Sequence, residues 1–490
     1  MKHILLSLII LIMGTTVCAQ SKQDFLEYIQ KRQAEFDKYS QQVENDFKAY
    51  RDSINQAFGA YLAKEWKSFD LQTPEPPIKK PISVPPVYKP LQPLPKPVKA
   101  VPPIAPIEKP KPLPIVVPIP EISLQYPIKA TFFGTNISLK DLPQSTLQLS
   151  GITEREVAAC WLTISKLPHY EWEEETMRIK QELNLNDWGV YQLLNTLFDV
   201  YFPQGSNNAQ VVFNVFMLNQ LGYRAKIGRS NNKLLPLVAF QNMVFNSPYF
   251  VYGDEVAIRY SALNPSRQSL SRVETCEIDY ASAIKNMDLS ISTSPYLAVE
   301  PATKTLSPGK DEVYNIMYNK NMVNFYADYP DVYFSVYAEA ALDETLLKSI
   351  EEQIAPFISS QSQEEAVNFL LHFVQKSFDY KTDHDQFGYE KWFFAEETIA
   401  SSYSDCEDRA ILFTQLVRRL LDMPVVLINY PDVHLAAAVK FDNPQTTGDY
   451  VMVDGEKYLI CDPTYIGASL GMGMPQLGST SVEIIQLDKE

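Results

Sequence analysis

From residue 21 to about residue 70, apolar side chains recur at three-, four- and seven-residue steps. They are Phe25, Ile29, Phe36, Val43, Phe47, Tyr50, Ile54, Phe58 and Tyr61, set among Lys, Glu, Gln and Asp. That period predicts one long amphipathic helix. Its stripe needs a cover, either a helical hairpin or the body of the same chain, or a second copy through a coiled coil, and a protein partner is the further alternative. Residues 153 to 202 also read as helices, with Val190, Tyr191, Leu194, Leu197, Phe198 and Tyr201 on one face. From about residue 249 to 338 the pattern turns to strands. Residues 323 to 326 and 331 to 337 are β-branched or aromatic runs of strand length. After Glu344 a helical face returns with Ala366, Phe369, Leu370, Phe373 and Val374.

The clearest succession lies further on. A helix from about 407 to 421, capped by Ser404 or Asp405, buries Ile411, Leu412, Leu416 and Leu420. Strands follow at 425 to 429 and 434 to 441, joined by a turn at 430 to 432. Another spans 450 to 453, and Asp454-Gly455 makes a hairpin into a strand that ends at Asp462. The expected fold class is α+β, with a helix packed on an antiparallel sheet.

Residues 74 to 127 hold 19 of the 35 prolines. Proline cannot donate to a helix or ladder and restricts the residue before it. This stretch is expected to be an extended spacer, at about 3.1 Å per residue. The expected division is a leader at 1 to 19, the amphipathic helix at 20 to 72 and the proline-rich linker at 73 to 127. An α+β unit at 128 to 262, a β-rich segment at 263 to 343 and a second α+β domain at 344 to 490 complete it.

Lys2, the apolar run from Ile4 to Met13 and Val17-Cys18-Ala19 have the form of a signal peptide cleaved after Ala19. The run is too short to span a membrane. The expected location is secreted or periplasmic, with no membrane-spanning segment. A net charge of −16 argues against nucleic acid as a partner. Four cysteines remain after processing, too few for a disulfide scaffold. With Cys406 free, the expected pair is Cys160 with Cys276, because Cys461 adjoins a candidate site residue.

Candidate chemistry gathers in the last domain. Cys406 opens the 407–421 helix, where the positive end favours a thiolate. His434 opens a strand and Asp462 closes another, and antiparallel neighbours can hold them side by side. A cysteine nucleophile, a base and an orienter for that base are the parts of covalent acyl transfer. His169, His372 and His384 lack partners at metal-ligand spacing, so neither metal nor cofactor is expected. Asp383 and Asp385 read as solvated loop residues, and Glu407 and Asp408 as helix N-terminal charges.

Asp-Cys-Glu-Asp-Arg-Ala at Cys406, a histidine some thirty residues on, and Cys-Asp-Pro-Thr-Tyr at Asp462 resemble the transglutaminase-like superfamily, with its papain-like fold. The resemblance covers roughly residues 345 to 475, and the stretch from Asp385 to Lys391 is similar to upstream motifs in secreted bacterial members. It implies that Cys406 is the nucleophile, His434 the general base and acid, and Asp462 the orienting carboxylate. Leu435 and three alanines follow His434, where many members have an aromatic. Gln386, Tyr389 and Trp392 are the candidate oxyanion donors beside the Cys406 backbone N–H.

A weaker resemblance is internal. Ser206, Phe213, Phe216 and Leu221 stand 200 residues before Cys406, Phe413, Leu416 and Leu421. A duplicated unit would carry Ser206 at the nucleophile position and Leu234 at the histidine position, and would be catalytically dead. Chance similarity of two helix-to-strand junctions is the alternative. The expected function is an exported cysteine enzyme acting on a peptide or protein substrate, hydrolysing a peptide or amide bond or passing the acyl group to an amine. The rival is a non-catalytic envelope binding or scaffold protein.

Overall fold

The computed structural model describes residues 22–75, 77, 84–87, 126–253, 257–263, 269–310, 312–478 and 480–488. The leader at 1 to 19 and most of the proline-rich stretch lie outside the described residues. The chain divides into two compact units at residues 61 and 62.

Helix α1, Lys22–Leu62, lies in the first unit up to Tyr61. Its sequence is free of proline and has no glycine before Gly59, and side-chain pairs one turn apart support it. Gln33 donates to Asp37 and Gln42 to Asp46, each at 2.8 Å. Ile29, Phe36, Val43 and Tyr50 of the apolar stripe are exposed.

The second unit opens with β1 (Lys67–Asp70). A hairpin of β2 (Ile128–Phe132) and β3 (Thr135–Leu139) precedes four helices: α2 (Glu154–Ile164), α3 (His169–Glu182), α4 (Asp187–Tyr201) and α5 (Asn207–Gln220). Each of α2, α4 and α5 starts at a side-chain cap, from Thr153, Asn186 and Ser206. Five strands follow: β4 (Ala225–Ser230), β5 (Lys233–Ala239), β6 (Tyr249–Tyr252), β7 (Ile258–Ala262) and β8 (Arg272–Thr275). They join β1 in one antiparallel sheet, ordered β1-β8-β4-β5-β7-β6.

A long ribbon, β9 (Pro301–Gly309) with β10 (Glu312–Asn319), leads to α6 (Lys320–Tyr326), α7 (Phe334–Glu339), α8 (Glu344–Gln353), α9 (Ala355–Ile358) and α10 (Gln363–Ser377). Two-residue strands β11 (Asp379–Tyr380) and β12 (Tyr403–Ser404) pair in parallel around α11 (Asp383–Phe387) and α12 (Ala395–Ala400). Then come α13 (Cys406–Leu421), β13 (Val425–Tyr430), β14 (His434–Lys440), β15 (Tyr450–Val453), β16 (Glu456–Cys461) and β17 (Glu483–Gln486). Their antiparallel sheet is ordered β15-β16-β14-β13-β17.

The two large sheets repeat one plan. In each, a helix precedes two successive hairpins and a final strand, and the final strand pairs beside the first. Thus β8-β4-β5-β7-β6 matches β17-β13-β14-β16-β15, and α5 packs on β4 and β5 as α13 packs on β13 and β14. Paired positive-φ residues close one tight turn in each sheet, Asn231-Asn232 in the first and Asp454-Gly455 in the second. β14 is buried on both faces: Leu435, Ala437 and Val439 point one way, and Ala436 and Ala438 point into a cluster with Ile428, Tyr430 and Met474. Small side chains on the central strand let the helix lie close.

Two expectations change. Residues 320 to 326 and 334 to 339 are helical, although both read as strands. Asn319 caps the first by accepting from the Asn321 N–H. Their aromatics serve a ring cluster instead of a pleated face. Tyr326 and Tyr337 lie 4.1 and 4.5 Å from Phe394, and Phe334 lies 4.7 Å from Trp392. Tertiary packing overrides strand propensity there. Cys160 and Cys276 are free, buried thiols, so the expected disulfide is absent. Among the described residues no helix is long and apolar enough to cross a membrane.

The loop after β16 depends on a close backbone crossing. Gly471 has φ +73°, and a Cβ built on it would lie 2.7 Å from the Gly448 Cα. Gly471 also donates to the Ile460 carbonyl at 2.7 Å. Gly471→Ala should therefore lower stability by at least about 2 kcal/mol. Denaturant unfolding that matches wild type would remove this account of the crossing.

Candidate active site

Cys406 is the first residue of α13, after Asp405 at the N-cap. Asp405 is fixed there reciprocally, its backbone N–H donating to Asp408 Oδ2 at 3.4 Å. The Cys406 thiol donates to Glu407 Oε2 at 2.8 Å, and the Leu435 backbone N–H is among the groups that favour its ionised form. Leu435 is the second residue of β14, next to His434.

The sheet register brings histidine and aspartate together. Ala437 pairs with Cys461, so Asp462 comes next, opposite Ala436, and His434 shares Ala436's face two positions along. Such diagonal neighbours lie within side-chain reach. His434 Nε2 meets Asp462 Oδ2 at 2.9 Å. The other carboxylate oxygen accepts the N–H groups of Thr464 at 2.9 Å and Tyr465 at 3.3 Å. His434 Nδ1 is buried without a hydrogen-bond partner. That leaves Nδ1 as the ring nitrogen for work on a neighbouring atom.

Three supporting residues were given no role by sequence reasoning. Gln375, buried on α10, donates to the carbonyls of Asp462 at 3.1 Å and Ala468 at 3.0 Å, and accepts from Gly467 N–H at 2.9 Å. It holds the loop that carries Asp462. Arg409, one turn after Cys406, donates to Ser404 Oγ at 3.0 Å and to the Phe378 carbonyl at 2.7 Å. Its guanidinium lies 5.3 Å from the Tyr380 ring centre. The Tyr380 hydroxyl is buried with no partner, and charge on Cys406 is among the causes that raise its pKa. The signal of Gln375 and Tyr380 was hidden because both lie outside the three motifs and act through tertiary contact, whereas Arg409 stands within the Cys406 motif.

Cys406 and His434 are 0% exposed and Asp462 2%. Burial, then the charges of Glu407 and Asp405, push the Cys406 thiol well above its ordinary value. The helix N-terminus was expected to favour the thiolate, but in this closed arrangement the acids beside it oppose ionisation. Glu407 is itself pushed up by burial and by Asp408, to about 7.

Asp383, expected in solvent, is fully buried and joins this acidic group. Asp383 accepts the Lys391 N–H at 2.7 Å, Asp405 the Asp383 N–H at 3.2 Å, and Asp408 the Phe393 N–H at 3.0 Å. These bonds stitch residues 383 to 393 to the start of α13. Asp383, Asp405 and Asp408 place ligand atoms within 4.8 Å of one another, as do Asp383, Glu390 and Glu407. A hard cation such as Ca²⁺ takes such all-oxygen ligands, which histidine spacing does not signal.

The oxyanion candidates have other settings. Gln386 donates to the Lys381 carbonyl at 3.0 Å, and Tyr389 is exposed. Trp392 is buried against Phe334 and Phe245. In the first sheet, Ser206 accepts from Ala209 N–H as the cap of α5. Ser230 pairs with Lys233 as Tyr430 pairs with His434, so Lys233 and not Leu234 stands at the histidine position. Asn208 Oδ1 accepts the Leu234 N–H at 3.0 Å. No protein-family model and no curated protein matches the chain.

Two predictions follow from these contacts. Gln375→Leu leaves two carbonyls and one N–H of the Asp462 loop without their buried partner, and should cost about 2–4 kcal/mol. Unchanged thermal unfolding would contradict that role. Glu407 binds its proton more tightly in the folded chain than in the unfolded one. Its contribution is full below its unfolded pKa and is lost as pH rises through about 7. Thermal stability should fall between pH 5 and 8, and Glu407→Gln should flatten that fall. A wild-type midpoint that rises across this window would refute the assignment.

Proposed function

We propose that this chain is an exported, cysteine-dependent acyl-transfer enzyme of the transglutaminase-like class, with a papain-like domain at residues 344 to 490. The observation that carries the reading is the buried His434–Asp462 pair at 2.9 Å, which leaves His434 Nδ1 without a hydrogen-bond partner. Deprotonated by His434 Nδ1, Cys406 attacks a peptide or amide carbonyl carbon. As the C–S bond forms and the C–N bond breaks, the imidazolium gives its proton to the departing amine. Water, deprotonated by the imidazole, then attacks the thioester and releases a carboxylate and the thiol. An amine in place of water gives transamidation. The Cys406 backbone N–H and the Tyr380 hydroxyl are the oxyanion donors of this reading. The first sheet, with Lys233 at the histidine position and Ser206 spent as a helix cap, is its non-catalytic copy.

The scaffold reading is favoured by one observation, the sealed thiol whose ionisation its neighbours oppose. In the catalytic reading the sealed arrangement is a closed state that must open before substrate binds. Treatment of wild type, Cys406→Ala and Asp462→Ala with a peptide-based thiol-directed probe separates the two. Catalysis predicts labelling of wild type alone at Cys406, with Asp462→Ala slowed about 100-fold or more. Equal labelling of wild type and Cys406→Ala leaves the scaffold reading.

A further inference from the structure

The proline-rich stretch touches the site. Pro77 accepts the Asp432 N–H at 2.9 Å, and Pro86 accepts the Ile466 N–H at 3.0 Å, with Val87 bridged in parallel to Ile466. Asp432 lies in the turn two residues before His434, and Ile466 lies four residues after Asp462. At about 3.3 Å per residue, those donors are within roughly 7 and 13 Å of the pair along the chain. Pro77 and Pro86 therefore bond to the loops that carry His434 and Asp462.

The chemistry of the contact suits proline. Both bonds use carbonyls, which proline keeps, and neither uses the N–H it lacks. Pro77, Pro85 and Pro86 are half-buried, whereas Val84 and Val87 are 76% and 60% exposed. The rings rather than the larger branched side chains are turned toward the body. Asp432 adopts φ +66°, which presents its N–H outward from the turn at a conformation aspartate tolerates. Recognition of extended chain through backbone donors beside a sheet is a recurring mode of peptide binding.

We propose that the rim formed by the Asp432 and Ile466 N–H groups is a binding site for extended, proline-bearing polypeptide, occupied here by the chain's own residues 77 and 84–87. The proposal rests on the catalytic reading in taking such a polypeptide as the substrate class; binding itself does not require the chemistry. Tethering gives the arm an effective concentration that a free peptide must exceed. Displacement of the arm precedes substrate entry.

The test uses the full chain with Cys406→Ala, with and without replacement of residues 77 and 84–87 by Gly and Ser. The probe is a labelled synthetic peptide copying residues 73 to 89, with a Gly-Ser peptide of equal length as control. The expected result is binding by the arm-replaced chain, at least tenfold tighter than by the chain with its arm, and no binding of the control. No binding by either chain, or equal binding by both, overturns the proposal. If replacement prevents folding, amide exchange on the wild-type chain decides. Exchange at Asp432 and Ile466 tenfold or more slower than in unprotected loops supports the contact, and exchange at open-loop rates overturns it. Peptide binding by the arm-replaced chain, together with a wild-type Cys406 inert to the thiol probe, keeps this site and removes the catalytic reading.

Discussion

The antiparallel register of β14 against β16 is the constraint on which the site depends. It sets Ala437 opposite Cys461, and with that it fixes Asp462 and His434 on one face at bonding distance. A slip of one residue would send the histidine to the other face of the sheet. Buried small residues, Ala436 to Ala438, keep the strand covered on both sides. α13 can then pack along this strand. Gln375 and the Gly448–Gly471 crossing hold the far end of the same arrangement.

Electrostatically the site is under tension. A helix N-terminus favours a thiolate, while burial, Glu407 and Asp405 push the Cys406 thiol well above its ordinary value. Carboxylates that open a helix and tie in the 383–393 loop are structural by their backbone bonds. The same groups set the charge that the sulfur experiences. Any event that neutralises them, or admits water to the sulfur, lowers the cost of ionising the thiol. Fold and reactivity are therefore coupled through the same side chains.

Much of the second sheet was legible in sequence because its signals are local. The Asp405 cap, the 407–421 apolar period, alternating strands and the Asp454-Gly455 turn each act over a few residues. β17 was missed, since Glu483–Gln486 is short and takes its meaning from pairing with β13. The helices at 320 to 326 and 334 to 339 were misread because their aromatics answer to Phe394 and Trp392, distant in the chain. The His434–Asp462 pair was legible through its flanking motifs. Tyr380 and Gln375 were not, because what distinguishes them is a buried hydroxyl and a buried amide in three-dimensional contact. The shared plan of the two sheets was only partly visible, and its register placed Lys233 where spacing alone had placed Leu234.

The rate of Cys406 alkylation by iodoacetamide, followed against pH in wild type and His434→Ala, bears most directly on the sulfur and imidazole acting as one unit. If they do, wild type reacts at least tenfold faster below pH 8 and shows an inflection that the variant lacks. Superimposable profiles would mean that the ring does not govern the thiol.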